Sequence, residues 1–200
     1  MENNNPFIMT EKVISNVNNW SHFGFKENEF PKDIKNIKVI NCSFISTVAE
    51  SFPEHNLFVS NSTFYTLDHN GDNTGIEITI KAFEKNKDKK NMYIELDPES
   101  KSKDVMGWIF FTDNFSDNKS IEQITIKNAE ISCLDLCEYP NLKKLNLVNC
   151  NIKSLAGPEK ENKVKFNLDG CKIHKRVLKK YAALSEKEKT VLPKQVEMSI

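Results

Sequence analysis

The chain has 200 residues, enough for one sizeable domain, and its 28 basic side chains balance 28 acidic ones. That balance gives no broad electrostatic reason to seek nucleic acid or an anionic membrane, and with Arg176 as the only arginine planar, bidentate reading of phosphates or bases is disfavoured. No run approaches 18 consecutive apolar residues, so no membrane-crossing helix is expected, and five cysteines without a paired framework point to a reducing compartment.

The N-terminal MENNNPFIMTEKV lacks a basic stretch followed by a long apolar run, so no secretory leader is expected there. The expected location is cytoplasmic, in the producer or in a target cell that receives the protein. Heavy use of Asn, Lys and Ile reads as AT-rich coding and points to a microbe or virus. From Thr10 to Trp20 the pattern predicts a helix. Thr10 is a candidate N-cap, and Val13, Val17 and Trp20 follow at i, i+4 and i+7. SHFGFKENEFPK then reads as an irregular connection, and residues 1–33 as an N-terminal cap.

A repeat begins at Ile34. IKNIKVINCSF sets out Ile34, Ile37, Val39, Cys42 and Phe44, and LFVSNSTFYTL sets out Leu57, Val59, Ser62 and Phe64 in the same columns. IEITIKAF alternates like a strand, its inward pair being either Ile76/Ile78 or Ile78/Ile80. The centre, about 81–120, is irregular. Ile94 with Leu96 and Ile109 with Phe111 are candidate strands, one of them an insertion, and Glu84–Lys90 and Pro98–Lys103 read as polar loops. From Ile121 the period is regular. Ile121 stacks over Leu142, Ile124 over Leu145 and Phe166, and Ile126 over Leu147 and Leu168, each 21 residues apart. Ala129, Cys150 and Cys171 share a bend column, and Ile131, Ile152 and Ile173 another. A fixed period of this size signals a solenoid, in which one coil cannot bury its apolar face alone. Past Ile173 the pattern turns helical. Val177, Leu178, Tyr181 and Leu184 share a face, Ser185 and Glu188 form a capping box, and Pro193 ends it, so residues 174–200 read as a C-terminal helical cap.

The pattern of LKKLNLVNCNIKSL, with IEQITIKNAEISCL close behind it, resembles the leucine-rich-repeat family; Ala129 and Ser62 replace the Asn or Cys of that family's bend. The fold this implies is α/β: a leucine-rich-repeat-like solenoid over 34–173 with a parallel sheet of roughly six to eight coils, and helical caps at both ends. The resemblance also implies a non-catalytic module that binds another protein through the residues between the inward ones. On this chain those are Asn36, Lys38 and Ile40; Phe58 and Ser60; Gln123, Thr125 and Lys127; Lys144, Asn146 and Val148; Lys165, Asn167 and Asp169. Ile40 and Phe58 are apolar where solvent is expected, the mark of a contact patch. A stand-alone repeat protein of microbial or viral composition suggests an effector or inhibitor. No cofactor is expected.

Other chemistry is weaker. Cys42, Cys150 and Cys171 fall in the bend column and read as structural. Cys133 and Cys137 are spaced C-x-x-x-C without the second pair that zinc needs. Asp68, Asn70 and Asp72 alternate as in a calcium loop, but Asn73 and Thr79 stand where Gly and Glu belong. The first rival reading is an enzyme built by proximity in 68–117 from Asp68, His69, Asp72, Asp97, Trp108 and Asp113. The second is nucleic-acid binding through the lysines of KIHKRVLKKY with Tyr181 as a stacking group.

Overall fold

Leu145 and Leu147 lie beside Ile124 and Ile126 on one side and beside Phe166 and Leu168 on the other, in parallel strands without a shift. The aliphatic columns are therefore the inner face of a stacked sheet. The computed structural model describes residues 11–22, 34–46, 56–66, 77–86, 88–104, 118–156 and 164–176. Its strands, in chain order, are β1 (Glu11–Ser15), β2 (Asn18–His22), β3 (Asn36–Ile40), β4 (Ser43–Ser46), β5 (Asn56–Thr66), β6 (Glu77–Asn86), β7 (Asn91–Leu96), β8 (Gln123–Lys127), β9 (Glu130–Ile131), β10 (Leu134–Asp135), β11 (Lys144–Val148), β12 (Asn151–Ile152), β13 (Leu155–Ala156), β14 (Lys165–Asp169) and β15 (Lys172–Ile173).

The main sheet runs β1-β3-β5-β6-β7-β8-β11-β14, with β2 and β4 branching beside β5. Alternation explains it. In β3, β5, β7, β8 and β11 the inward pairs Ile37/Val39, Leu57/Val59, Met92/Ile94, Ile124/Ile126 and Leu145/Leu147 are at most 3 % exposed, and the residues between them turn away from the core. On the return legs of the C-terminal coils, β9, β12 and β15 pair in parallel, as do β10 and β13. The molecule is a β-solenoid with coils of about 21 residues.

A single left-handed residue bends the chain in most coils. Asn16, Asn41, Asn61, Asn128 and Asn149 have φ between 46° and 58°, and Gly170 has φ 64°. Asn tolerates this left-handed geometry because its short amide can bond locally. Four of these Asn N–H groups reach the next coil: Asn16 donates to Ile40 O, Asn41 to Ser60 O and Asn128 to Val148 O at 3.0 Å, and Asn149 to Asp169 O at 2.9 Å. The bend column follows. Cys42 N–H donates to Ser62 Oγ at 3.1 Å, and Ser62 Oγ donates to Ser60 O at 2.9 Å. Cys150 N–H donates to Cys171 Sγ at 3.4 Å, and that thiol donates to Leu147 O at 3.2 Å. The Cys171 thiol is pushed far up by its hydrogen bond with Cys150 and by burial, so it stays protonated and donates to the backbone.

Two expectations are corrected. The helix over Thr10 to Trp20 is replaced by β1 and β2, because Asn16 turns left-handed between Val13 and Val17 and breaks any helical run. Ile14, not Val13, packs on the core, and Val13 is 48 % exposed. β1 pairs with β3 and so extends the sheet to Glu11. Second, the described residues are mostly β and contain no α-helix of a full turn; their helical residues are the 3-10 turns at Asn118–Ser120 and Leu136–Glu138, with Lys175 and Arg176 at the C-terminal edge. The α/β class with a helical cap at each end therefore does not fit the described residues. All of the C-terminal cap expected over 174–200 except His174, Lys175 and Arg176, and the candidate strand Ile109/Phe111, lie outside the described residues.

The centre breaks the repeat by reversal. β6 runs antiparallel to both β5 and β7, while β7 resumes the common direction beside β8. Ile78 and Ile80 are the buried pair at its start. A bulge at Lys81 then shifts the phase, so that Phe83 and Lys85 point inward further on. The stretch Glu84–Lys90, read as a loop, is strand to Asn86, and Lys90 closes the turn with φ 54°.

Gly170→Ala should lower stability by about 1–2 kcal/mol, since a left-handed residue with a Cβ is strained and the added carbon would sit 2.4 Å from Asn149 Oδ1. Gly170→Asn, the residue of the other coils, should cost less. Urea unfolding midpoints report the order; equal midpoints for Ala and Asn would contradict it.

Candidate functional site

The residues that point away from the core form three rows across the sheet. The middle row passes Lys38, Phe58 and Glu84, then Tyr93, Thr125, Asn146 and Asn167. One outer row passes Ile40, Ser60, Ala82 and Glu95, then Lys127, Val148 and Asp169. The other joins Asn36 to Asn56, and Asn91 to Gln123, Lys144 and Lys165. Every one of the expected contact residues lies on this face.

Four of them converge. Lys38, Ile40, Phe58 and Ser60 line an open depression of about 380 Å³ with Ala82, Glu84 and Tyr93, above Val59 and Phe83. Ala82, Glu84 and Tyr93 were missed because the centre reads as an irregular insertion. For Tyr93 the signal was the alternation of MYIEL: with Met92, Ile94 and Leu96 inward, Tyr93 and Glu95 must face out, whereas the bulge at Lys81 hides Ala82 and Glu84. Phe58 and Ile40 are half-buried, so the patch is shallow.

Beside the depression lies a charged cluster. The Tyr93 hydroxyl donates to Glu95 Oε2, Lys81 Nζ pairs with Glu95 Oε1 at 3.0 Å, and Lys127 Nζ sits 3.9 Å from Glu95 Oε2 and 5.2 Å from the Tyr93 ring centre. The hydrogen bond from Tyr93 and the Lys81 ammonium hold the Glu95 carboxyl low. Burial, and then Glu95, push the Tyr93 phenol up, so the phenol remains a donor at neutral pH.

Asn36 lies on β3 outside the depression, and the remaining expected residues form a separate wing over β8, β11 and β14. Asn146 is 9 % exposed and gives its amide to Thr125 Oγ1 at 3.1 Å, so it braces the sheet. Lys144, Lys165, Asn167 and Asp169 are exposed. At the rim before β8, Glu122 pairs with Lys90 at 2.7 Å and Lys143 at 2.5 Å. These groups offer shape, charge and hydrogen bonds, which suits recognition.

The other candidates lie elsewhere. Cys133 and Cys137 are exposed beside β10, where Asp135 Oδ1 accepts from Cys137 N–H at 2.9 Å. Asp97 Oδ1 accepts from Glu99 N–H at 2.8 Å in the turn after β7. Asp68, His69, Asp72, Trp108, Asp113 and Tyr181 lie outside the described residues. Among the described residues no group of three His, Cys, Asp or Glu could hold a metal ion, and no helix is long and apolar enough to cross a membrane. Compared with protein-family models, curated proteins and solved structures, the chain matches none.

Lys143, and then Lys90, hold the Glu122 carboxyl down at about 2. A carboxyl lowered on folding stabilises the fold fully above its ordinary value of 4.5, and that contribution is lost as pH falls from there through about 2. A side-chain NMR titration should place Glu122 near the lower value, and Lys90→Ala with Lys143→Ala should return it toward 4.5. A midpoint that ignores both lysines would contradict the pairing.

Proposed function

We propose that this chain is a non-catalytic recognition module that binds another protein through the open face of its main sheet, with the depression at Phe58 and Tyr93 as the anchor site. The observation that carries it is that depression. Apolar and aromatic groups from β3, β5, β6 and β7 converge on one spot, surrounded by Lys38, Glu84, Glu95 and Lys127. An apolar centre with a polar rim is the usual anatomy of a protein contact, and aromatic residues at its centre carry most of the energy. The resemblance of LKKLNLVNCNIKSL to leucine-rich repeats supports the same face, since that family presents the residues between its inward ones to partners. The role fits an effector or inhibitor of a target protein.

Phe58→Asp and Tyr93→Ala should each weaken the partner by about 2 kcal/mol, roughly thirty-fold. Glu99→Lys, in an exposed turn off the face, should leave binding unchanged. The measurement is a pull-down followed by titration of the recovered partner, with circular dichroism confirming the fold of each variant. Equal binding by Phe58→Asp and the parent chain would sink the assignment.

A further inference from the structure

The wing of the face beyond the depression carries a charge imbalance that the fold does not resolve. Lys144 and Lys165 lie directly opposite each other on β11 and β14. Both are exposed, and neither makes an ion pair among the described residues. Like charges in facing positions of neighbouring strands destabilise a sheet. The same rim holds Lys90 and Lys143, which already share the single carboxylate of Glu122. The next acid along, Asp88, is engaged by the Asn56 amide at 3.1 Å. Among the described residues, the ammonium groups of Lys90, Lys143, Lys144 and Lys165 thus outnumber the carboxylates of Glu122 and Asp88 along one margin of the face, although the whole chain is neutral.

Resting on the reading of the depression as the anchor site, we infer that the partner segment is acidic: it seats an aromatic or branched aliphatic side chain between Phe58 and Tyr93 and lays a cluster of Asp or Glu on Lys144 and Lys165. Strands sit about 4.8 Å apart, so the lysine pair begins about 10 Å across the sheet from Tyr93, a span of about three to five extended residues. Repulsion between the two lysines is relieved only when carboxylates arrive, which makes the margin select for acidic partners and against basic ones. The apolar anchor favours a polypeptide over a nucleic acid, whose phosphates would use the lysines alone.

A phage-displayed library of random dodecapeptides, selected on the full chain at about 50 mM salt, tests this. Enriched peptides should carry one bulky apolar residue and two or more acids about three to five residues away. The best peptide should bind about tenfold or more weakly to the double variant Lys144→Glu, Lys165→Glu, and weaken again as salt rises to about 300 mM. It should also be lost on Phe58→Asp. Peptides that depend on Phe58 and ignore both lysines overturn the acidic-partner inference and leave the anchor site standing. A library that yields nothing, or peptides indifferent to Phe58, overturns both. Tight binding of single-stranded oligothymidine that survives Phe58→Asp and fails with the lysine variant also overturns it, in favour of nucleic acid.

Discussion

A coil can rejoin the stack only if its backbone bends sharply as it comes round, and at six places that bend is a single left-handed residue. Asn16, Asn41, Asn61, Asn128, Asn149 and Gly170 supply it. The amide groups exposed by the turn need acceptors, and the bend column gives them from the coil after. Ser62 does for Cys42 what Cys171 does for Cys150, so hydroxyl and thiol are interchangeable there. Ala129 is the instructive exception. The coil before it leaves the sheet through Asp97, whose N–H goes to Thr79 O at 3.0 Å. That coil presents no such amide, and a methyl group suffices.

The same logic explains the break at β6. A strand entering antiparallel pairs with both neighbours, but its columns do not keep phase with theirs along its whole length. The bulge at Lys81 absorbs one residue and restores phase, so Phe83 falls opposite both Val59 and Ile94. In doing so it turns Ala82 and Glu84 outward, next to Phe58 and Tyr93. The irregularity that interrupts the repeat is what shapes the depression.

Much of this was legible. The columns from Ile121 to Ile173 and from Ile34 to Phe64 follow from burial alone, because inward positions tolerate only apolar side chains of similar size. The outward residues followed from the same alternation, which is why Phe58, Lys144 and Lys165 were found. The first coil was not legible: Val13, Val17 and Trp20 satisfy a helical spacing by coincidence, and the decisive residue, Asn16, acts through backbone geometry. It aligns with Asn41 as part of the same sequence motif, one position ahead of the bend column, and that Asn was the missed signal. Tyr93 and Glu84 were lost for another reason. The reversed strand keeps no fixed step to its neighbours and the bulge at Lys81 breaks its alternation, so a period search sees only noise across β6.

Because β8, β11 and β14 follow one another without a shift, a further unit of that length could be spliced in after β11 and would widen the wing by one strand spacing, leaving the aromatic hollow untouched. No such freedom exists at β6, where a tandem copy would need its own bulge and its own reversal. Growth by duplication is thus barred at β6 and open in the carboxyl-terminal arm. Descendants of this chain can lengthen their reach there while the hollow stays at a fixed distance from the amino-terminal edge.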